Sequence, residues 1–115
     1  MEYEAIGTHV LVNIYGCNES TLNDINKVRE ILYKAIELSN ATILETIGHT
    51  FEPQGLSIVV LLAESHLSIH TYPEHKTAFI DFFTCGVDCK PLDGAIYIAK
   101  ELQAKQIKVD IITRK

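Results

Sequence analysis

The chain has 115 residues, enough for one domain that buries roughly two-thirds of its unfolded surface. Apolar residues make up 47% and charged residues 22%, the balance of an ordinary soluble globular protein, and no apolar run approaches the ~20 residues that cross a bilayer. A net charge of −5 without a basic run argues against nucleic acid and against a membrane as partner, and leaves a weak bias toward cationic small molecules.

Met1-Glu2-Tyr3-Glu4 is acidic and lacks the basic start of a secretory signal. Residues 8–15, rich in β-branched and aromatic side chains and closed by Gly16, predict a strand. Ser20 or Thr21 then caps a helix whose Leu22, Ile25, Val28, Leu32, Ala35 and Ile36 recur at spacings of three and four. Asn40 is its expected stop, because asparagine tolerates a left-handed backbone. Residues 42–51 predict a strand, and Glu52-Pro53-Gln54-Gly55 a turn. Residues 56–63 are nearly all apolar, as in a strand buried on both faces or lying at a subunit contact. Residues 67–72 alternate until Pro73, and residues 78–83 predict a further strand, interrupted by Asp81. Pro91 starts a helix carrying Leu92, Ala95, Ile96, Ala99 and Leu102 despite a costly Gly94. Residues 106–113 alternate Ile107, Val109 and Ile111 against Lys108, Asp110 and Ile112, a last strand. The order β-α-β-β-β-β-α-β with short turns predicts an α+β fold: a two-layer α/β sandwich with a mainly antiparallel sheet and two helices on one face. The other face needs cover, and a second subunit is a reasonable supplier. Cys17, Cys85 and Cys89 are an odd count with no disulfide framework, so a cytoplasmic protein is expected.

The densest polar run follows the most apolar strand: Glu64-Ser65-His66-Leu67-Ser68-Ile69-His70-Thr71-Tyr72-Pro73-Glu74. Read alone, it is a strand–turn–strand corner with solvated polar residues, or a site. This run resembles the self-cleavage segment of the bacterial and archaeal S-adenosylmethionine decarboxylases, and Phe82-Phe83-Thr84-Cys85-Gly86 is similar to a second motif of that family. The resemblance implies a proenzyme in one domain, residues 1–115, that splits itself between Glu64 and Ser65 into 1–64 and 65–115. Ser65 would become a pyruvoyl group, the cofactor, and bind substrate as a Schiff base. A decarboxylase needs an electron sink, and the sequence has neither a glycine-rich phosphate loop nor a lysine singled out as an anchor for pyridoxal phosphate.

By the same resemblance His70 is the proton acceptor in processing, a role suited to an imidazole at neutral pH. Ser57 assists near the ester oxyanion; read alone, it is a strand hydroxyl bonded to nearby backbone. Cys85 is the catalytic proton donor, since an ordinary thiol stays protonated at neutral pH; read alone, it is a core residue ending a strand. Phe51 and Glu74 hold the nucleoside, a ring against adenine and a carboxylate on the ribose hydroxyls; read alone, they are a core or interface residue and a solvated carboxylate. Tyr72 stands where relatives carry tryptophan. His66 has no assigned role, Cys17 and Cys89 read as structural or incidental, and His9, His49 and His75 read as ordinary polar positions. The family further implies a homodimer of cleaved protomers, a small form with no metal, and S-adenosylmethionine as substrate in polyamine, including spermidine, biosynthesis. An arginine decarboxylase with the same pyruvoyl machinery is the alternative. Two other classes compete: a metal module built on His66, His70, His75 and Cys85 or Cys89, whose spacing is irregular, and a non-catalytic ferredoxin-like binding domain.

Overall fold

The computed structural model describes residues 5–115; the acidic residues 1–4, on which the absence of a secretory start was read, lie outside that range. Six strands form one antiparallel sheet: β1 (Gly7–Tyr15), β2 (Ile43–Thr50), β3 (Leu56–Leu62), β4 (Ser65–Tyr72), β5 (Thr77–Cys85) and β6 (Gln106–Arg114), in the spatial order β2-β3-β4-β5-β1-β6. The first strand thus lies inside the sheet, bonded to β5 on one side and β6 on the other.

The helices are α1 (Glu19–Leu22), α2 (Ile25–Leu38) and α3 (Pro91–Glu101). The single first helix expected from periodicity is divided. Asn18 Oδ1 accepts from the Thr21 amide and Asp24 Oδ1 from the Lys27 amide, so the chain caps one short turn and starts again at Ile25. Asn40 does take φ 60°, as its position predicted.

Alternation divides the sheet into two faces. Val10, Val12, Ile14, Leu56, Ile58, Val60, Leu62, Leu67, Ile69, Ile80 and Phe82 are buried beneath Val28, Leu32, Ala35 and Ile36 of α2 and Ala95, Ile98 and Ala99 of α3. The β3 run is therefore covered on one face only, since Val59 and Leu61 remain exposed. Asp81 does not interrupt β5; it points away from the core, so the strand runs through it. In α3 the buried stripe includes Ile98, whereas Leu92 and Ile96 stay partly exposed. Gly94 serves a purpose there, because a Cβ would sit 2.2 Å from Ser39 Oγ and 2.7 Å from the Ala35 carbonyl oxygen. Glycine lets α3 lie against the end of α2.

The face away from the helices carries Ile47, Val59, Leu61, Tyr72 and Phe79, all exposed, with Ile47 75% accessible. No helix of the described residues is long and apolar enough to cross a membrane.

Candidate active site

The hairpin joining β3 to β4 has Ala63 and Glu64 as its two-residue connection, because Leu62 pairs with Ser65. Such short loops ordinarily need positive φ at the central residues. Neither Ala63 nor Glu64 takes it; Ser65 does, at φ 150°, a region that costs a non-glycine residue on the order of 1–3 kcal/mol. The strain thus falls on the residue that follows the Glu64–Ser65 peptide bond.

Both ends of Glu64 are held. Its carboxylate accepts from the Thr42 amide at 2.9 Å and the Thr42 hydroxyl at 3.3 Å, and its backbone carbonyl accepts from the Cys85 amide at 2.9 Å. That last bond draws electron density from the carbonyl carbon next to Ser65 and would steady an oxyanion formed there. The sequence could not show it, since twenty-one residues separate the partners and the donor is backbone. Ser65 Oγ lies 3.5 Å from Cys85 Sγ, and Cys85 is exposed at the end of β5 rather than buried as a core thiol. Beside it is a cleft of about 340 Å³ lined by Ile6, Gly7, Phe83, Cys85 and Arg114.

A second group gathers at the other end of β4. Ser57 and His70 face each other across β3 and β4, and Ser57 Oγ is 2.6 Å from His70 Nδ1. The serine hydroxyl is therefore bonded to the imidazole, not to nearby backbone, and it fixes the ring's orientation. Ser57, His70, Phe51, Gln54, Tyr72 and Glu74 line one cleft of about 490 Å³. Phe51 lies at the rim, its ring 4.7 Å from that of His49.

The two groups do not meet within one chain. Ser65 and His70 are five positions apart on a continuous strand, about 16 Å at the usual rise. The expected constellation is thus brought together pairwise, Ser65 with Cys85 and Ser57 with His70.

The remaining cysteines differ from Cys85. Burial pushes the Cys17 thiol up to about 11. Cys89 is also raised, first by burial and then by the negative charges of Glu64 and Asp88 and by Cys85; its thiol donates to the Asn40 carbonyl at 3.5 Å. The metal module weighed from sequence does not assemble, because His70 is engaged by Ser57 and the one three-donor cluster among the described residues is His9, His66 and Asp81.

An antiparallel sheet with helices on one face is an α+β fold, and its tight hairpin sets a strained serine against a thiol. The profile of the S-adenosylmethionine decarboxylase family matches residues 8–115. An S-adenosylmethionine decarboxylase proenzyme of Moorella thermoacetica is 46% identical over 110 residues, covering 96% of this chain and 88% of that protein. A proenzyme of the same name from Syntrophomonas wolfei is 43% identical over 111 residues, covering 96% and 88%. The crystal structure of the adenosylmethionine decarboxylase from Aquifex aeolicus superposes with a TM-score of 0.88 at 35% identity, covering 96% of this chain and 91% of that one. This chain belongs to the S-adenosylmethionine decarboxylase family.

Proposed function

We propose that the chain is a proenzyme that cuts itself between Glu64 and Ser65, and that the processed protein decarboxylates S-adenosylmethionine. The observation that carries the first part is the hairpin: a strained Ser65 follows a carbonyl already bonded to the Cys85 amide. Ser65 Oγ attacks the Glu64 carbonyl carbon, the C–N bond breaks, and the acyl group moves from nitrogen to oxygen as an ester. His70 takes the Ser65 α-proton, the C–O bond breaks, and Glu64 leaves as a carboxylate. The dehydroalanine left behind takes up water and releases ammonia, leaving a pyruvoyl group at the head of residues 65–115. When formed, that carbonyl supplies the electron sink that decarboxylation of an amino acid requires. Cys85 Sγ, beside Ser65, then holds a proton for the α-carbon.

The separation of Ser65 from His70 supports a homodimer in which each site is shared. A two-fold axis that lays one open sheet face on another in opposite directions carries the Ser65–Cys85 end of one copy toward the Ser57–His70 end of its partner. The same packing covers Ile47, Val59 and Leu61, the exposed apolar surface of that face.

For the substrate, the 490 Å³ cleft offers an aromatic ring, Phe51, and a carboxylate, Glu74, on the same wall as His70. A ring for adenine and an acceptor for the ribose diol suit the nucleoside, and the family does not favour arginine. Intact-mass analysis is the test. Wild-type protein should appear as fragments 1–64 and 65–115 with a borohydride-sensitive terminus on the second, while Ser65→Ala should remain one folded chain. Splitting of the Ser65→Ala protein at that bond would remove the mechanism. Release of labelled carbon dioxide from S-adenosylmethionine, and not from arginine, tests the substrate.

A further inference from the structure

β6 is an edge strand, bonded to β1 along one side and, among the described residues, open along the other. Its pairing with β1 runs unbroken over nine residues, with no bulge and no proline. β2, the opposite edge, has a register shift between Ile43 and Glu45, an irregularity that hinders further pairing. On the helix side of β6, Ile107, Val109 and Ile111 pair with Ile14, Val12 and Val10 and continue their rows. Those β1 side chains are buried. Ile107, Val109 and Ile111 stay 45%, 37% and 53% exposed, because the helices do not extend over β6. Lys108 and Asp110 alternate with them on the other face, and neither meets an opposite charge among the described residues. A long, regular, apolar edge of this kind is a template for another strand.

We propose that β6 pairs antiparallel with β6 of a second copy, about a two-fold axis at Val109. The order of charges fixes both the occupant and the register. Centred on Val109, Lys108 of each copy stands opposite Asp110 of the other, and Ile107 opposite Ile111. Centring on Lys108 or on Asp110 would set like charges face to face. The outward amides and carbonyls of the edge lie in the plane of the sheet, so face-to-face packing of two sheets leaves them free. The assembly that results rests on the shared-site dimer proposed above. That packing reverses strand direction, which stacks β6 over the partner's β6. Both edges then open on the same side, and a second dimer pairs with both, closing a tetramer.

The test is the mass of the purified full chain in solution, by sedimentation and native mass spectrometry over a range of concentrations. Wild type should form tetramers. Lys108→Glu makes both edge positions acidic and Asp110→Lys makes both basic. Each variant alone should weaken the tetramer at least tenfold and leave dimers that still cut themselves. Mixed one to one, the two variants should regain tetramers, because acidic edges then meet basic ones. A wild-type monomer, a wild-type dimer left intact by both variants, an unchanged tetramer in either variant, or a mixture that stays dimeric would overturn the edge contact. Open-ended growth would overturn it too, since β6 would then be seated on β2. A wild-type dimer that both variants split into monomers would keep the edge contact and remove the face-to-face dimer.

Discussion

The two ends of β4 differ in backbone and in surroundings. At Ser65 the backbone is strained, the preceding carbonyl is bonded to an amide, and a thiol sits 3.5 Å from the hydroxyl. At His70 the backbone is ordinary strand, the imidazole is fixed by Ser57, and a cleft large enough for a small molecule opens alongside. In the proposed reaction one end has the bond to be broken and no base; the other has the base and the ligand cleft, and no reacting serine. A rigid sheet keeps them about 16 Å apart, so no side-chain rotation joins them. On that proposal neither end is complete in one chain.

Substitutions that separate the ends sharpen this contrast. Among variants that are still cut, the largest effect belongs to Cys85. Cys85→Ala should still be cut, because it keeps the backbone amide on the Glu64 carbonyl, yet turnover should fall about 10²–10⁴-fold, as for a positioned proton donor. Single-turnover assays on the processed variant read this, and full turnover would remove Cys85 from the role.

At the other end the effects should appear in KM. Glu74→Gln removes a charged hydrogen bond to the diol, about 1.5–3 kcal/mol or roughly 10–150-fold. Phe51→Ala removes ring stacking, about 0.5–1.5 kcal/mol or roughly 2–10-fold. Steady-state kinetics with cutting unimpaired would set this end apart from the cleavage end.

The smallest expected effect lies under the helices, where Cys17 is buried. Its folded thiol titrates near 11, above the ordinary 9.0, so the folded state holds its proton longer than the unfolded chain does. Its contribution to stability is therefore fully present below pH 9 and declines as pH rises toward 11. Denaturant midpoints measured across that interval should fall less for Cys17→Ala than for wild type.

The helix-covered face was largely legible in the sequence, because burial there follows periodicity. The stripe of α2 and the alternation of β4 both hold. Two readings needed partners that a run of residues does not show. Residues 56–63 read as a strand buried on both faces or lying at a subunit contact; Val59 and Leu61 lie on the face no helix covers, and composition alone cannot tell helix cover from subunit cover. Gly94 read as costly, but its missing Cβ would stand 2.2 Å from Ser39 Oγ, just past α2, and 2.7 Å from the Ala35 carbonyl oxygen. The motif named residues but not their arrangement, in which Ser65 lies by Cys85 and Ser57 by His70. His9 read as an ordinary polar position because Asp81, its partner, is 72 residues away. Cross-strand register decides such contacts, and no local pattern encodes it.

The shared site can be tested directly by mixing two defective chains. His70→Ala alone should stay uncut, and so should Ser65→Ala. Co-expressed with distinguishable masses, the two should pair at random, making about half of the dimers mixed. In a mixed dimer, the intact Ser65 of the His70→Ala chain faces the intact His70 of the Ser65→Ala chain. Mass spectrometry should then find about half of the His70→Ala chains cut between Glu64 and Ser65, and none of the Ser65→Ala chains. If the His70→Ala chain remains whole in the mixture, or is cut as well on its own, the two ends of β4 do not meet across a dimer and the shared site is wrong.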